Sequence, residues 1–407
     1  MTLRAPGFPE EQVRERAAHG PARVFPALPD YGTSLFGAVP DRGDLLDSAR
    51  LVPPVFMPSR LAKLIELGRE PMYDAVDLTS VIGGFGSPFP VYVSAFGSTQ
   101  VSSDELGVAA SRQAGRLGVP MVIGENIVPV NGYGRIESAT EKSLLGRIRA
   151  YGDELASTGG GVVVQQSTED ADAEVWNLVY SDPAAQDLLD TGRLGLELKI
   201  GQGAKPGLGG MSVVDSSSGL GNQFLLDEVF GEDEVLRCAS PGTVTEEILR
   251  QQIRLMRNNY PRARVWVKLP PARDVALAAE VAWEAGADAV TVDGAEGGTG
   301  WAPTGFLGHV GLPLAECLRR LGKPSSDLLV SGRMWEGTRA VKCLALGARA
   351  VGLGRAALLA VDTDQEHGLE KFLACLALEL RLLISALGKY SADAVSAEDV
   401  WWGNRAS

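Results

Sequence analysis

Eight short apolar runs recur along the middle of the sequence, and most are separated by a segment that patterns as a helix. They are rich in valine and isoleucine and lie at residues 91–94, 120–124, 161–165, 194–200, 264–269, 287–292, 327–331 and 350–354. Short uninterrupted apolar runs are typical of strands that are buried on both faces of a parallel sheet. Strands that alternate with helices predict an α/β fold.

The segments between these runs carry helix signals. Segment 104–117 follows two serines and opens with Asp-Glu, which is a capping pattern, and segments 273–285 and 337–346 end before a glycine. Eight such units predict a (β/α)8 TIM barrel. A doubly wound open sheet is the alternative, but eight strands favour closure.

The sequence divides into two predicted regions. Residues 1–85, rich in proline, glycine and arginine, are predicted to be an N-terminal extension packed on the barrel. Residues 86–407 are predicted to form the barrel with a C-terminal helix at 365–387 and a short cap at 397–403. We interpret segment 211–243, rich in serine, glycine and aspartate, as a loop over the barrel top, where barrel active sites lie.

Charge and composition exclude several classes of partner. The formal net charge is -13 and the sequence pI is about 4.9, which disfavours nucleic acid and anionic membranes. No apolar stretch is long enough to predict a membrane span, and the charged N-terminus is unlike a signal peptide. The four cysteines lack metal-clip spacing, and three of them, Cys317, Cys343 and Cys375, are predicted to be buried thiols. We therefore expect a cytoplasmic protein with no metal site.

The loop after the fourth predicted strand has the strongest chemical signal. Residues 198–210 combine Lys199, Gln202 and Lys205 with five glycines. Glycines allow close approach of the backbone to a ligand, and the lysines supply cations. This pattern suits an anionic, planar ligand, whereas the alternative is an ordinary polar turn.

Other strand ends offer further candidates. Lys268 is the best cation to face a developing anion, although a salt bridge in the barrel mouth is the alternative. Glu125 could act as an acid or base, orient a substrate, or only cap a loop. Glycines near strands six, seven and eight could cradle a phosphate or simply form tight turns. They are Gly297, Gly298, Gly332, Gly352 and Gly354.

Several of these segments together resemble the FMN-binding barrel of glutamate synthase over roughly residues 50–400. The segments are 94–98, 198–207, 267–269, 297–300, 309–313 and 347–354. The resemblance implies an FMN cofactor, with its phosphate near Gly332 and Gly354. It also implies flavin contacts from Ser94, Gln165, Lys199 and Lys268, and places Gln202 and Lys205 against substrate carboxylates or the flavin. The other implied cofactor-binding residues are Ala95, Gly297, Gly298, Arg333, Gly352 and Arg355.

The resemblance further implies an FMN-dependent oxidoreductase that exchanges hydride with an amino or imino acid. Lys268, Glu125 and Lys205 are its predicted catalytic residues. The sequence departs from the family where iron–sulfur cysteines are expected, since segment 356–364 contains none. It also has Ser-Gly-Arg at 331–333 in place of Asp-Gly-Gly, and segment 238–242 lacks the expected proline–histidine pair. These departures leave substrate and electron donor open.

Partners follow from what the sequence does not contain. The glutamine-hydrolysing and β-helix regions of glutamate synthase have no counterpart in it. We expect a small carboxylate or amino-acid substrate, a separate amidotransferase or electron-donor protein, and a homo-oligomer. The FMN subunit of N-methylglutamate synthase and a tailoring enzyme of specialised metabolism are both similar stand-alone forms. An isomerase without net redox change and a non-catalytic partner subunit remain alternatives.

Overall fold

A closed barrel of eight parallel strands forms the centre of the molecule. The structure is a computed structural model that describes residues 22–23, 25–37, 44–96, 104–124, 144–167, 173–217 and 225–403. In chain order the barrel strands are β1 Val91–Phe96, β2 Met121–Ile123, β3 Val162–Ser167, β4 Leu194–Lys199, β5 Arg264–Leu269, β6 Ala289–Asp293, β7 Asp327–Ser331 and β8 Ala350–Leu353. Because β8 pairs with β1, the sheet has no free edge. The predicted TIM-barrel class is confirmed.

Helices connect the strands on the outside of the barrel. They are α1 Asp104–Leu117, α2 Leu144–Gly152, α3 Ala173–Ser181, α4 Pro183–Asp190, α5 Glu246–Asn259, α6 Val275–Glu284, α7 Thr304–His309, α8 Leu314–Leu321, α9 Gly337–Ala345, α10 Arg355–Thr363 and α11 Gly368–Ala386. The Thr245 hydroxyl accepts a hydrogen bond from the Ile248 amide and thereby caps α5. Cys375 lies on the exposed face of α11, so the prediction that it is buried is wrong.

An apolar plug fills the lower half of the barrel. It contains one inward-facing side chain from most strands: Tyr92, Val122, Val163, Trp266, Ala289, Leu329 and Ala350. The hairpin of strands Ser80–Ile82 and Phe85–Ser87 closes the bottom, since Ile82 and Phe85 join the plug. The Trp266 indole donates a hydrogen bond to the Gly83 carbonyl over 3.0 Å. A ligand can therefore enter only from the opposite end, where the strands terminate.

Segment 211–243 is more ordered than the sequence analysis predicted. It contains a three-stranded antiparallel sheet of Met211–Asp215, Leu225–Asp227 and Glu234–Cys238, so the prediction of a plain loop is wrong. Short runs of β-branched and aliphatic residues stabilise it, because Leu236 and its neighbours pack against Trp301 after β6. We call this sheet the upper sheet. It lies between β4 and α5 in the chain and packs against Trp301, which follows β6.

Two short strand pairings attach the chain before the barrel to the rest of the molecule. Strand Phe36–Gly37 pairs with Gly298–Thr299 above β6, and strand Arg50–Leu51 pairs with Val400–Trp401 near the C-terminus. Helix Leu45–Ser48 lies between the two paired strands in the chain, and helix Pro58–Leu67 lies between the second of them and the barrel. In the described residues, no helix is both long enough and apolar enough to cross a membrane.

Candidate functional site

A polar layer lies directly above the apolar plug. Side chains along a strand alternate between its two faces, so the residue two positions after each plug residue also faces inward. In β1, β2, β3, β5, β6, β7 and β8 these residues are Ser94, Gly124, Gln165, Lys268, Thr291, Ser331 and Gly352, and β4 contributes Glu197 at the level of Gln165. An apolar floor beneath a ring of donors and acceptors is typical of a ligand site.

A buried ion pair lies at one side of this layer. The Lys268 ammonium nitrogen is 3.0 Å from Asp293 Oδ2, and both side chains are buried. Asp293 also accepts hydrogen bonds from the Ser331 hydroxyl and from the Gly203 amide. Three donors on one carboxylate fix its orientation and hold Lys268 at a fixed position.

Glu197 is a second buried carboxyl group in the layer. The Gln165 amide and the Thr291 hydroxyl, the latter at 3.0 Å, each donate a hydrogen bond to it. Burial raises the pKa of Glu197 above its ordinary value, although the charge of Lys268 and both hydrogen bonds oppose the shift. The group therefore tends to hold a proton inside the barrel.

Two buried hydroxyl groups lie beside Gly352. Ser94 Oγ and Tyr92 Oη have no hydrogen-bond partner within the described residues. A Cβ atom on Gly352 would stand 2.2 Å from Ser94 Oγ and 2.6 Å from Tyr92 Oη, so only glycine fits there. Burial raises the pKa of Tyr92, and its hydroxyl stays protonated. Unpaired buried hydroxyls are costly, and a bound polar ligand would relieve that cost.

Two arginines lie at the upper ends of β7 and β8. Arg333 follows β7 in the left-handed region with φ 52°, which is unusual for a residue with a side chain, and pairs with Asp47 over 2.6 Å. Arg355 begins α10 and donates a hydrogen bond to the Glu296 carbonyl over 2.7 Å. Burial, and to a lesser extent the charge of Arg333, lowers the pKa of Arg355. Two neighbouring guanidinium groups and a helix N-terminus form a suitable site for a phosphate.

A pair of carboxyl groups, Glu296 and Asp44, is buried near the upper end of the barrel. Glu296 and Asp44 share a hydrogen bond, and Asp44 pairs with the fully buried Arg339. Burial and the charge of Asp44 raise the pKa of Glu296 to about 8. Burial opposes charge on Asp44, but the hydrogen bond from Glu296 and the charge of Arg339 lower its pKa overall. The pair thus holds one proton, on Glu296, at neutral pH.

The loop after β4 carries Lys205 at the end of the barrel where the strands terminate. Gly203 packs against the loop after β6, and a Cβ atom there would lie 2.3 Å from the Gly294 carbonyl oxygen. Lys205 is buried. Burial raises the pKa of Cys238 in the upper sheet, and the charges of Lys205 and Arg237 act against this shift. Lys205 therefore lies near Cys238 and the upper sheet, although the two residues are far apart in sequence.

Most predicted site residues gather at this end of the barrel. Gln165, Lys268, Ser94 and Gly352 lie in the polar layer, Lys199 ends β4, and Gln202 is half-buried in the loop that follows. The others lie in or beside the strand-end loops: Ala95, Lys205, Gly297, Gly298, Gly332, Arg333, Gly354 and Arg355. Gly298 pairs with Gly37 of the N-terminal segment. Glu125 lies outside the described residues.

Four side chains of the site were not predicted from the sequence. Glu197, Thr291, Ser331 and Asp293 had no assigned role, yet they form most of the hydrogen bonds around Lys268. Counting in steps of two along each strand would have found them. That count requires knowing which residues form the plug, which only the fold reveals.

A family comparison identifies the barrel. The family model described as a conserved region in glutamate synthase matches residues 131–367, which is more than half of the chain. The chain belongs to this family. The resemblance drawn from the loop after β4 and the strand ends is thereby confirmed.

Curated relatives agree with this family. A glutamate synthase large subunit-like protein from Rhizobium meliloti is 31% identical over 252 residues, covering 58% of this chain and 55% of the relative. An archaeal-type glutamate synthase [NADPH] from Thermotoga maritima is 31% identical over 240 residues, covering 56% of this chain and 46% of the relative. The chain thus spans about half the length of the curated relatives it matches.

Solved structures share the fold at low sequence identity. A flavocytochrome b2 mutant with bound pyruvate has a TM-score of 0.58 at 17% identity, covering 97% of this chain and 86% of the other. A soluble mutant of (S)-mandelate dehydrogenase from Pseudomonas putida has a TM-score of 0.57 at 16% identity, covering 90% and 92%. These similarities establish the barrel architecture alone.

Proposed function

We propose that this protein is an FMN-dependent oxidoreductase that forms or oxidises a C–N bond at the carbon next to a carboxylate. The observation that carries the proposal is the buried Lys268–Asp293 pair in a polar layer directly above an apolar plug. Membership of the glutamate synthase family supports the reaction class. A mandelate oxidase mutant solved with an FMN adduct shares the architecture, which agrees with the cofactor.

The residues of the mouth fit FMN. Within the part of the chain that the structure describes, the Ser94 and Tyr92 hydroxyls beside Gly352 have no hydrogen-bond partner, and a flavin has polar atoms that could satisfy them. Arg333, Arg355 and the start of α10 would hold the phosphate. Gln165 and Lys268 would contact the flavin, which would supply hydride transfer when bound.

Lys268 would balance negative charge. Its ammonium group is held by Asp293, so it need not reorganise when charge develops nearby. Asp293 is in turn fixed by Ser331 and the Gly203 amide. Glu197 would position Gln165 and Thr291 without adding a second full negative charge, because burial raises its pKa.

Substrate binding would depend on cations above the layer. Lys205 and Arg237 both lie close enough to Cys238 to oppose the rise of its pKa, and Lys199 ends β4. Such a group favours a small carboxylate. We assign Lys205 to the carboxylate of an amino or imino acid of the 2-oxoglutarate type, and Glu125 to orienting an amine or moving a proton. Nitrogen and electrons would come from ammonia or an amine and from a separate amidotransferase or electron-donor protein.

Anaerobic half-reactions test this proposal. Oxidised, FMN-loaded protein would be mixed with glutamate or N-methylglutamate, and reduced protein with 2-oxoglutarate plus ammonium or methylamine. We expect one pair to change the visible flavin absorbance, and Lys205→Met to weaken substrate affinity more than about 10-fold. Leu255→Met, a change on the outside of α5, is the matched control. A flavin that no amino or 2-oxo acid oxidises or reduces would refute the C–N reaction while leaving the cofactor assignment intact.

A further inference from the structure

The segment before the barrel presents an apolar surface to solvent. Residues 52–73, which we call the apolar strap, contain helix Pro58–Leu67, and none of the residues of this helix is buried. Val55 is 90% exposed, Phe56 86% and Ile65 71%. Leu61, Met72 and the neighbouring Trp401 are also exposed. Scattered exposed apolar residues are common, but a concentration of this kind in one segment marks an interaction site.

The strap helix exposes two of its large apolar side chains to solvent. Leu61 and Ile65, one turn apart, are exposed, whereas Arg60, Lys63 and Leu64 are half-buried on the inner side of the helix. Arg60 donates to the Tyr390 hydroxyl over 3.2 Å and to Glu70, and Lys63 pairs with Glu66 over 2.7 Å. A helix of ten residues is marginal in water unless its apolar face packs against something. The orientation therefore indicates that another surface covers Leu61 and Ile65.

The charge of the strap favours a second copy of this chain. The whole protein has a formal net charge of -13, so two copies repel over most of their surfaces. The strap has three basic residues and two acidic ones, which leaves it nearly neutral. Its charges are satisfied within the segment by pairs such as Arg60–Glu70 and Lys63–Glu66. A partner selected by opposite charge would find little to recognise here.

The size of the surface matches a stable dimer. At roughly 60–120 Å² for a buried aliphatic side chain and 150–250 Å² for an aromatic one, the exposed fractions sum to about 500 Å² of apolar area. A standard interface buries about 800 Å² per partner, of which about 57% is apolar, or roughly 450 Å². The strap alone supplies that amount.

We propose that the apolar strap is the interface of a twofold homodimer, with Leu61 and Ile65 of each copy at its centre. In a twofold interface the same surface of both copies is used, so one self-complementary apolar face suffices. The strap lies beside α11 and the C-terminal strand, away from the strand ends that carry the site. Dimer formation would therefore leave both barrel mouths open. This inference does not depend on the proposed reaction.

Sedimentation velocity of the full chain over a range of concentrations tests the proposal. We expect a dimer at micromolar concentration, and at least a 100-fold weaker dimer for the double variant Leu61→Glu/Ile65→Glu. Leu255→Glu is the matched control, because Leu255 is similarly exposed on α5, which lies on the opposite side of the barrel. Circular dichroism melts would confirm that each variant is folded.

A second variant tests the interface without changing any residue of the strap helix. Val55→Ser/Phe56→Ser changes two exposed loop side chains that precede the helix, and it should weaken the dimer by at least about 10-fold. A wild-type chain that remains monomeric at high micromolar concentration would overturn the proposal. A folded Leu61→Glu/Ile65→Glu variant that dimerises like the wild type would overturn it as well.

Discussion

The ammonium group of Lys268 lies 3.0 Å from the carboxylate of Asp293, and both are buried at the ends of neighbouring strands. Their strands β5 and β6 pair in parallel with Lys268 opposite Thr291, so Asp293 lies two residues further along β6 on the same face. Removing the charge of Lys268 leaves Asp293 buried without its counter-ion. We expect Lys268→Met to cost about 3–5 kcal/mol of unfolding free energy in urea titrations.

The double variant Lys268→Met/Asp293→Asn serves as the control for that experiment. It removes both charges, so it should recover more than half of the lost stability. The flavin of the Lys268→Met variant should have a reduction potential lower by about 50 mV, since charge stabilisation worth roughly 2 kcal/mol is lost. The double variant loses one charge of each sign, so its potential should shift less. Unchanged potentials would show that Lys268 acts only as a structural ion pair.

Glu197 should tolerate loss of its charge but not loss of its side chain. Burial raises its pKa, so glutamine resembles the protonated form, and the Thr291 hydroxyl can reverse its hydrogen bond. We expect Glu197→Gln to change unfolding free energy by less than about 1 kcal/mol. Glu197→Ala should cost about 3 kcal/mol, because Gln165 and Thr291 lose their acceptor and a cavity remains. Equal losses in both variants would indicate that the carboxylate is charged.

The buried carboxyl pair of Asp44 and Glu296 makes the unfolding free energy depend on pH. The pKa of Glu296 is raised to about 8 in the folded protein, against about 4.3 in an unfolded chain. Its contribution to stability is complete below the unfolded value and is lost as pH rises toward 8. Glu296→Gln mimics the protonated form and should therefore gain stability relative to wild type as pH rises from 5 to 8.

Urea titrations at several pH values would measure this difference. Glu316→Gln is the matched control, because Arg319 and Arg320 lower the pKa of Glu316 to about 2. The stability that this carboxylate gains from its pairs is lost only at acid pH, so the control difference should be flat between pH 5 and 8. A flat profile for Glu296→Gln too would contradict the shared proton.

Arg333 and Arg355 should matter for a phosphate and not for the flavin ring. We expect Arg333→Gln to weaken FMN binding about 10-fold and Arg355→Gln about 100-fold, because Arg355 is more deeply buried. Fluorescence titration of apo-protein with riboflavin, which lacks the phosphate, supplies the comparison. Riboflavin affinity should stay within about threefold of wild type. Equal losses for the two ligands would place the phosphate elsewhere.

The sequence predicts the barrel well because buried parallel strands have a simple pattern. All eight apolar runs are strands, and α1 has the predicted bounds. The upper sheet was missed because its strands have three to five residues and are separated by turn-forming residues. Its stability comes from contacts with Trp301 and Phe25, which are distant in sequence.

Some residues of the site could likewise be predicted from the sequence, whereas others could not. Glycine-rich and lysine-containing loops stand out in the sequence, so Lys199, Lys205 and Lys268 could be named in advance. Glu197 and Thr291 lie inside strands and resemble isolated polar substitutions until the barrel closes around them. The Asp44–Glu296 pair joins residues more than 250 positions apart, and no local pattern encodes it.

The central claim is that the polar layer of this barrel binds FMN, and the visible absorbance spectrum of the purified chain tests it most directly. We predict a yellow protein that releases about one FMN per chain on denaturation. A colourless wild-type chain that also fails to bind added FMN would contradict the account.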